Sequence, residues 1–278
     1  MASGIADQTH GQAGLDNIIK LAVMAVGGQG GGVLTSWIVD LAEANGYAAQ
    51  STSVAGVAQR TGATIYYVEM LADTGRKPVF SLMPAEADVD ILIAAEWMEA
   101  GRAMIRNFVS PDRTVLIASS HRTLAGIEKS VPGNGIADDD EVRRAAEKMA
   151  HKVIAFDMEA IAADAGTMIS ASLFGALSGA GVLPFSRQAF HDTIRRGGRG
   201  VEASLAAFGV AHERAAPGGG DVSRAPLAWR FPATYSPASA SLGCLWCLRA
   251  LCCVVRHRIH RRGHCVLPVL LSRCGRCF

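Results

Sequence analysis

No cysteine stands before position 244, although the chain of 278 residues carries seven. Iron–sulfur clusters held by cysteine thiolates are therefore excluded from everything upstream of that point. Aromatic residues are scarce at 6%. No run approaches the roughly 20 apolar residues a bilayer-spanning helix needs, and Leu242 to Val255 is too short. The amino terminus lacks a basic-then-apolar export signal, so the chain reads as cytoplasmic with no membrane contact. Lysine is missing from residues 215–278, where nine arginines face one acid, Asp221. That stretch carries +8, and the total of +2 leaves the first 214 residues at −6. An acidic head gives no electrostatic reason to expect nucleic acid as a partner.

Against these absences, glycine is plentiful and concentrated. Ile18 to Val26 is an apolar run interrupted only by Lys20, the signature of a strand buried on both faces. Five of the next six residues, Gly27, Gly28, Gly30, Gly31 and Gly32 around Gln29, are glycine. Leu34, Trp37, Ile38 and Leu41 follow at helical spacing and Gly46 closes the helix. A loop between a strand's carboxyl end and a helix's amino end presents free N–H groups, which favour an anion, a carboxylate or a partner's backbone. A tight turn that serves packing alone has the same composition. The dinucleotide pattern G-x-G-x-x-G fails, because Gly28 and Gly30 are followed by Val33, and the second strand, Tyr47 to Val54, ends without its acid. The NTPase phosphate loop fails as well: Val33 and Leu34 stand where Lys and Ser/Thr belong.

A second glycine-containing stretch, residues 55–63, carries Gln59, Arg60 and Thr61 at the carboxyl end of a strand expected to neighbour the first. Both loops would then share the sheet edge where open α/β folds bind ligands; a surface arginine paired with a carboxylate is the competing reading of Arg60. Ala63 to Leu71 is β-branched and aromatic, and with Pro78 to Met83 it predicts a hairpin. Val89 to Ala95 and Thr114 to Ala118 read as buried strands. Trp97, Gly101, Met104, Ile105 and Phe108 form one helical face between them. His121, in the polar exit after the second of these strands, is an acid/base or substrate contact or else a solvated loop histidine. Asp138 to Glu141 starts a helix, acids there suiting its dipole and not a metal site. Val153 to Phe156 is a last strand, and three helices close the domain. Gly175, Ala176 and Gly179 in the first of them predict close packing against another element or chain. The fold class is α/β: a three-layer α/β/α, Rossmann-like arrangement with a mostly parallel, mixed sheet.

The Gly27–Gly32 turn, the segment from Ser51 to Glu69 with its Gln59-Arg60-Thr61-Gly62 corner, and Asp88 to Glu96 resemble the gamma-type catalytic domain of 2-oxoacid:ferredoxin oxidoreductases. Within that family they look most like the beta subunit of the indolepyruvate enzyme. The resemblance covers residues 16–214, after a flexible leader of about 15 residues. It departs at one point, since many relatives carry two glycines after the arginine where Thr61 precedes Gly62. It implies a subunit of an enzyme that decarboxylates an aryl 2-oxoacid, transfers the acyl group to coenzyme A and sends electrons to ferredoxin. Thiamine diphosphate, magnesium and 4Fe-4S clusters would sit on a larger partner subunit, in keeping with the lack of cysteine and of a Gly-Asp-Gly diphosphate motif here. The chain alone would be inert. Gly27, Gly28, Gln29, Gly30, Gly31, Gln59 and Arg60 are the positions the resemblance assigns to the coenzyme A side, and it names no catalytic residue and no metal ligand. A freestanding phosphate- or nucleotide-binding module and a purely structural assembly subunit are the competing functions.

Residues 215–278 continue no part of that pattern. Cys244/Cys247 and Cys274/Cys277 form two C-x-x-C pairs around His257, His260 and His264, a paper zinc set interleaved with arginine. The skewed composition reads as an irregular or disordered extension, out of frame or otherwise non-native, and not a native domain.

Overall fold

The computed structural model describes residues 18–54, 63–73, 75, 78–124, 138–198, 200–218 and 222–223. Its strands are β1 (Ile19–Val26), β2 (Tyr47–Val54), β3 (Ala63–Ala72), β4 (Ile91–Ala94), β5 (Val115–Ser119), β6 (Lys152–Phe156) and β7 (Val222–Ser223). The helices are α1 (Gly31–Ala44), α2 (Trp97–Ile105), α3 (Asp139–Met149), α4 (Met158–Asp164), α5 (Ile169–Gly179), α6 (Arg187–Arg196) and α7 (Val201–Ala215).

One sheet of order β2-β3-β1-β4-β5-β6-β7 forms the middle layer. β1, β4, β5 and β6 run parallel, while β3 and β7 are antiparallel to their neighbours. Side chains of β1 alternate between two cores, as a two-sided strand must. Leu21, Val23 and Ala25 face α1, α4, α5, α6 and α7, whereas Ala22 and Met24 face α2 and α3. The mixed three-layer α/β architecture expected from the sequence is the one observed.

At the amino ends of the strands a charge cluster ties β1 to β4. Arg113 Nε lies 2.9 Å from Asp90 Oδ1, Lys20 N–H donates to Asp90 Oδ2 at 2.8 Å, and Asp88 pairs with both Lys20 and Arg113. Burial raises the Asp90 carboxyl above its usual range even though Lys20 and Arg113 pull it down.

Expectations fail at two places, the β3 side of the sheet and the end of α2, for physical reasons. β2 does not neighbour β1: β3 lies between them and pairs with both. A strand has two edges, so once β3 is filled on each side the stretch 78–83 cannot close a hairpin on it. That stretch instead lies across β2 and β3 and is held by side chains. Ser81 N–H donates to Glu69 Oε2 at 2.7 Å, and Thr52 Oγ1 donates to Leu82 O at 2.7 Å. The second failure is Ile105, which is 83% exposed and off the α2 core face. The helix stops there in a Schellman end: Phe108 N–H donates to Ala103 O, Asn107 N–H to Met104 O, and Asn107 takes φ +56°. Phe108 is buried beyond that end, not on the helix.

Helix α5 packs on α7 as the glycines predict. A Cβ on Gly175 would lie 2.3 Å from Phe208 O, and one on Gly179 2.1 Å from His212 O. Phe174 on the same helix touches Trp37, Phe190 and Phe208, with centroids 5.5, 4.7 and 6.1 Å away. β7 keeps the chain on the sheet past Arg214, pairing Val222 with Ile154 and Ser223 with Val153. The cysteine and histidine pairs of the tail lie outside the described residues.

Candidate functional site

The carboxyl ends of β1, β4, β5 and β6 lie on one edge because these strands are parallel. β2 ends on it too. It is antiparallel to β3, which is antiparallel to β1, and Val54 pairs with Ile65 two residues from Ala63, the partner of Val26. The glycine turn and the chain leaving β2 therefore start from the same edge, about 10 Å apart at two strand spacings. Gln59 and Arg60 lie outside the described residues.

The glycine turn divides into a packed half and an open half. Gln29 N–H donates to Val26 O at 3.2 Å, and Gly28 takes φ +95° at the third turn position, which glycine adopts without strain. Gly30 caps α1 at φ +70°. A Cβ on Gly31 would stand 2.6 Å from a Tyr66 ring carbon and 3.0 Å from Ala25 Cβ, and one on Gly30 3.3 Å from Ser170. Gly27 and Gly28 are exposed, with no heavy atom within 4 Å of where a Cβ would be. Behind them the first-turn amides of α1 have no carbonyl one turn back, which leaves a partial positive charge at this point.

Gln29 fastens the turn to the exit of β5. Its Oε1 accepts the Val26 N–H at 2.8 Å. The amide NH2 thus faces outward, donating to Thr123 Oγ1 at 3.2 Å and lying 3.5 Å from His121 Nε2. The other ring nitrogen of His121, Nδ1, is 2.7 Å from Ser119 Oγ, which also accepts the Met158 N–H at 3.0 Å. The same exit loop is tied to the exit of β4: Trp97 N–H donates to His121 O at 3.1 Å, and Thr123 N–H to Glu96 Oε2 at 3.4 Å. Glu96 is buried, and that burial raises its carboxyl above the usual range; the amides of Met98 and Thr123 and the Arg122 guanidinium oppose the shift.

His121 is thus half-buried, anchored at Nδ1 and loosely met at Nε2, not a solvated loop residue. Sequence reading places it at a strand exit but not its partners, because Gln29, Ser119, Thr123 and Glu96 converge only once β1, β4 and β5 lie side by side. Among the described residues no group of three His, Cys, Asp or Glu side chains is placed to hold a metal ion. No helix among them is long and apolar enough to cross a membrane.

Residues 20–214 match the family model described as pyruvate ferredoxin/flavodoxin oxidoreductase. The chain belongs to the pyruvate ferredoxin/flavodoxin oxidoreductase family. Its similarity to gamma-type subunits, and within them to the indolepyruvate branch, is borne out by the relatives. The chain is 28% identical over 179 residues to indolepyruvate oxidoreductase subunit IorB of Thermococcus kodakarensis, covering 63% of this chain and 84% of that one. The IorB of Pyrococcus horikoshii is 27% identical over the same shares. Among solved structures, the fold is similar to pyruvate oxidoreductase subunit PORC of Thermotoga maritima, with TM-score 0.51 and 15% identity over 74% of this chain and 98% of that one. It is also similar to the 2-oxoglutarate:ferredoxin oxidoreductase of Magnetococcus marinus, solved with 2-oxoglutarate, coenzyme A and succinyl-CoA bound. There the TM-score is 0.50 at 14% identity, over 72% of this chain and 31% of that one. At these identities the likeness to the solved structures is one of fold.

Proposed function

We propose that this member of the family is the cluster-free subunit of a cytoplasmic, thiamine-diphosphate-dependent indolepyruvate (aryl 2-oxoacid) ferredoxin oxidoreductase. The enzyme decarboxylates the 2-oxoacid oxidatively, forms the acyl-CoA and passes two electrons to ferredoxin. Thiamine diphosphate, magnesium and 4Fe-4S clusters belong to a larger partner subunit, whose thiamine supplies the carbanion chemistry when bound, and this chain is inactive without that partner.

The observation that carries this reading is the shared edge. The open backbone of Gly27 and Gly28 and the carboxyl end of β2 at Val54 lie at one side of the sheet. In this arrangement the glycine turn receives the pantetheine arm of coenzyme A along a backbone with no Cβ to obstruct it. Gln59 and Arg60 meet its phosphates, where a guanidinium pairs with phosphate oxygens bidentately. Gln29, Gly30 and Gly31 fix the turn: Gln29 through Thr123, Gly30 against Ser170 and Gly31 against Tyr66. The IorB relatives support the aryl substrate.

Co-purification with the large subunit tests the reading. The expected product is a brown complex that reduces a dye with indolepyruvate, more slowly with pyruvate, and not at all when either subunit is omitted. A complex that forms yet reduces dye with no 2-oxoacid contradicts it.

A further inference from the structure

We propose that His121 is the proton acceptor for the thiol of coenzyme A at this edge. The assignment rests on the functional reading above and adds to it a residue with a chemical role.

The two ring nitrogens are in unlike situations. Nδ1 is held at 2.7 Å by Ser119 Oγ, a fully buried hydroxyl itself fixed by the Met158 N–H at 3.0 Å. Nε2 has only long contacts, 3.4 Å to Thr123 Oγ1 and 3.5 Å to the Gln29 amide. A histidine anchored at one nitrogen and loosely met at the other, on the half-exposed side of an edge, is oriented for proton transfer with an incoming group. Ser119 makes the transfer inexpensive. With one lone pair occupied by Met158, its oxygen accepts the Nδ1–H through the other, which leaves Nε2 bare to take a proton, and the same bond holds the imidazolium once it forms. Gln29 then has a second function: it sets the distance between the open glycines and the ring.

Strand order supports a thiol over a phosphate as the group facing Nε2. β5 lies two strands from β1 on the side away from β2, which puts the carboxyl ends of β5 and β2 about 19 Å apart. An extended arm of about thirteen bonds, the length from thiol to first phosphate, spans about 15 Å by ordinary bond geometry. A thiol at His121 thus sends the arm across Gly27 and Gly28 and leaves its first phosphate within about 4 Å of the β2 end.

The step balances without a further reactant. The S–H bond breaks and its proton passes to His121 Nε2. The sulfur electron pair forms the C–S bond to the acyl carbon. The bond that held the acyl group on the partner subunit breaks, its electron pair returning to that carrier. The two electrons of the oxidation have already left for ferredoxin.

The test uses the assembled complex, unaltered and carrying His121→Gln. Two quantities are read with indolepyruvate: single-turnover reduction of the clusters without coenzyme A, and formation of acyl-CoA with it. The expected result is acyl-CoA formation slowed about 10²-fold or more, a far larger loss than that in cluster reduction, with partial rescue by added imidazole. Acyl-CoA formation at the unaltered rate overturns the assignment. So does equal loss of both quantities without imidazole rescue, because the residue is then structural. An unaltered complex that never reduces its clusters removes the functional reading itself, and this assignment with it.

Discussion

One methyl group separates the two halves of the glycine turn. Gly31→Ala places a Cβ 2.6 Å from the Tyr66 ring, so the ring or the helix start must move, and the expected loss is about 1–3 kcal/mol. Gly27→Leu meets open space at a position without positive φ, and stability stays within about 0.5 kcal/mol. Under the proposed function the same leucine in the complex obstructs the pantetheine arm, and coenzyme A affinity is expected to drop at least about tenfold, or 1.4 kcal/mol. Denaturant midpoints and a coenzyme A titration separate the two effects.

Glu99 gives the residue scale a pH signature. It is 1% exposed, its Oε2 has no partner, and Oε1 is 3.2 Å from Arg102. Burial pushes its carboxyl up to about 7; Arg102 and Arg106 hold it down while Glu96 adds to the rise. The folded state therefore binds this proton more tightly than the unfolded chain does. The stabilisation is complete below the unfolded pKa of 4.5 and is lost as pH rises through about 7. Glu99→Gln is expected to gain about 3 kcal/mol over the parent at pH 8 and nothing at pH 4. Melting temperatures of the two proteins across that range check the sign. His191 and His212, both lowered chiefly by burial, bear on parent and variant alike and cancel in the difference.

Among elements, the contact between α5 and α7 is the least forgiving. A Cβ at Gly179 would overlap the backbone oxygen of His212 at 2.1 Å, and backbone cannot step aside as a side chain can. Gly179→Ala is expected to lose about 3 kcal/mol or more, read as a lowered urea midpoint. Element-level features were legible wherever the signal was local. Leu34, Ile38 and Leu41 at helical spacing, with Gly46 at φ +77° just past the end, describe α1 as it is found. Strand partnership was not legible, because pairing residues 47–54 with 63–72, and 63–72 with 19–26, is decided by which edges remain open once the chain collapses. Gly75 N–H does donate to Asp73 Oδ1 at 2.8 Å, yet among the described residues no strand pairs with β3 after it. The helix stop at Asn107 eluded the pattern because asparagine takes the left-handed position usually given to glycine. At the site, the glycine turn stood out by composition. The cluster of His121 with Gln29 did not, since 92 residues separate the two in sequence.

Across the whole molecule, the acidic head and its alternating strands and helices form one layered body of a known family, with the glycine turn, the exits of β4 and β5 and the end of β2 on one sheet edge. The proposed function assigns binding and proton handling to this chain and the redox chemistry to its partner. Adding this chain in increments to its isolated large subunit, with indolepyruvate, coenzyme A and ferredoxin present, tests that division most directly. Acyl-CoA formation is expected to rise from the background to a plateau at a fixed ratio of the two chains, and to fail to rise with the Gly27→Leu chain at limiting coenzyme A. Acyl-CoA formation by the large subunit alone, at a rate this chain does not change, contradicts the account.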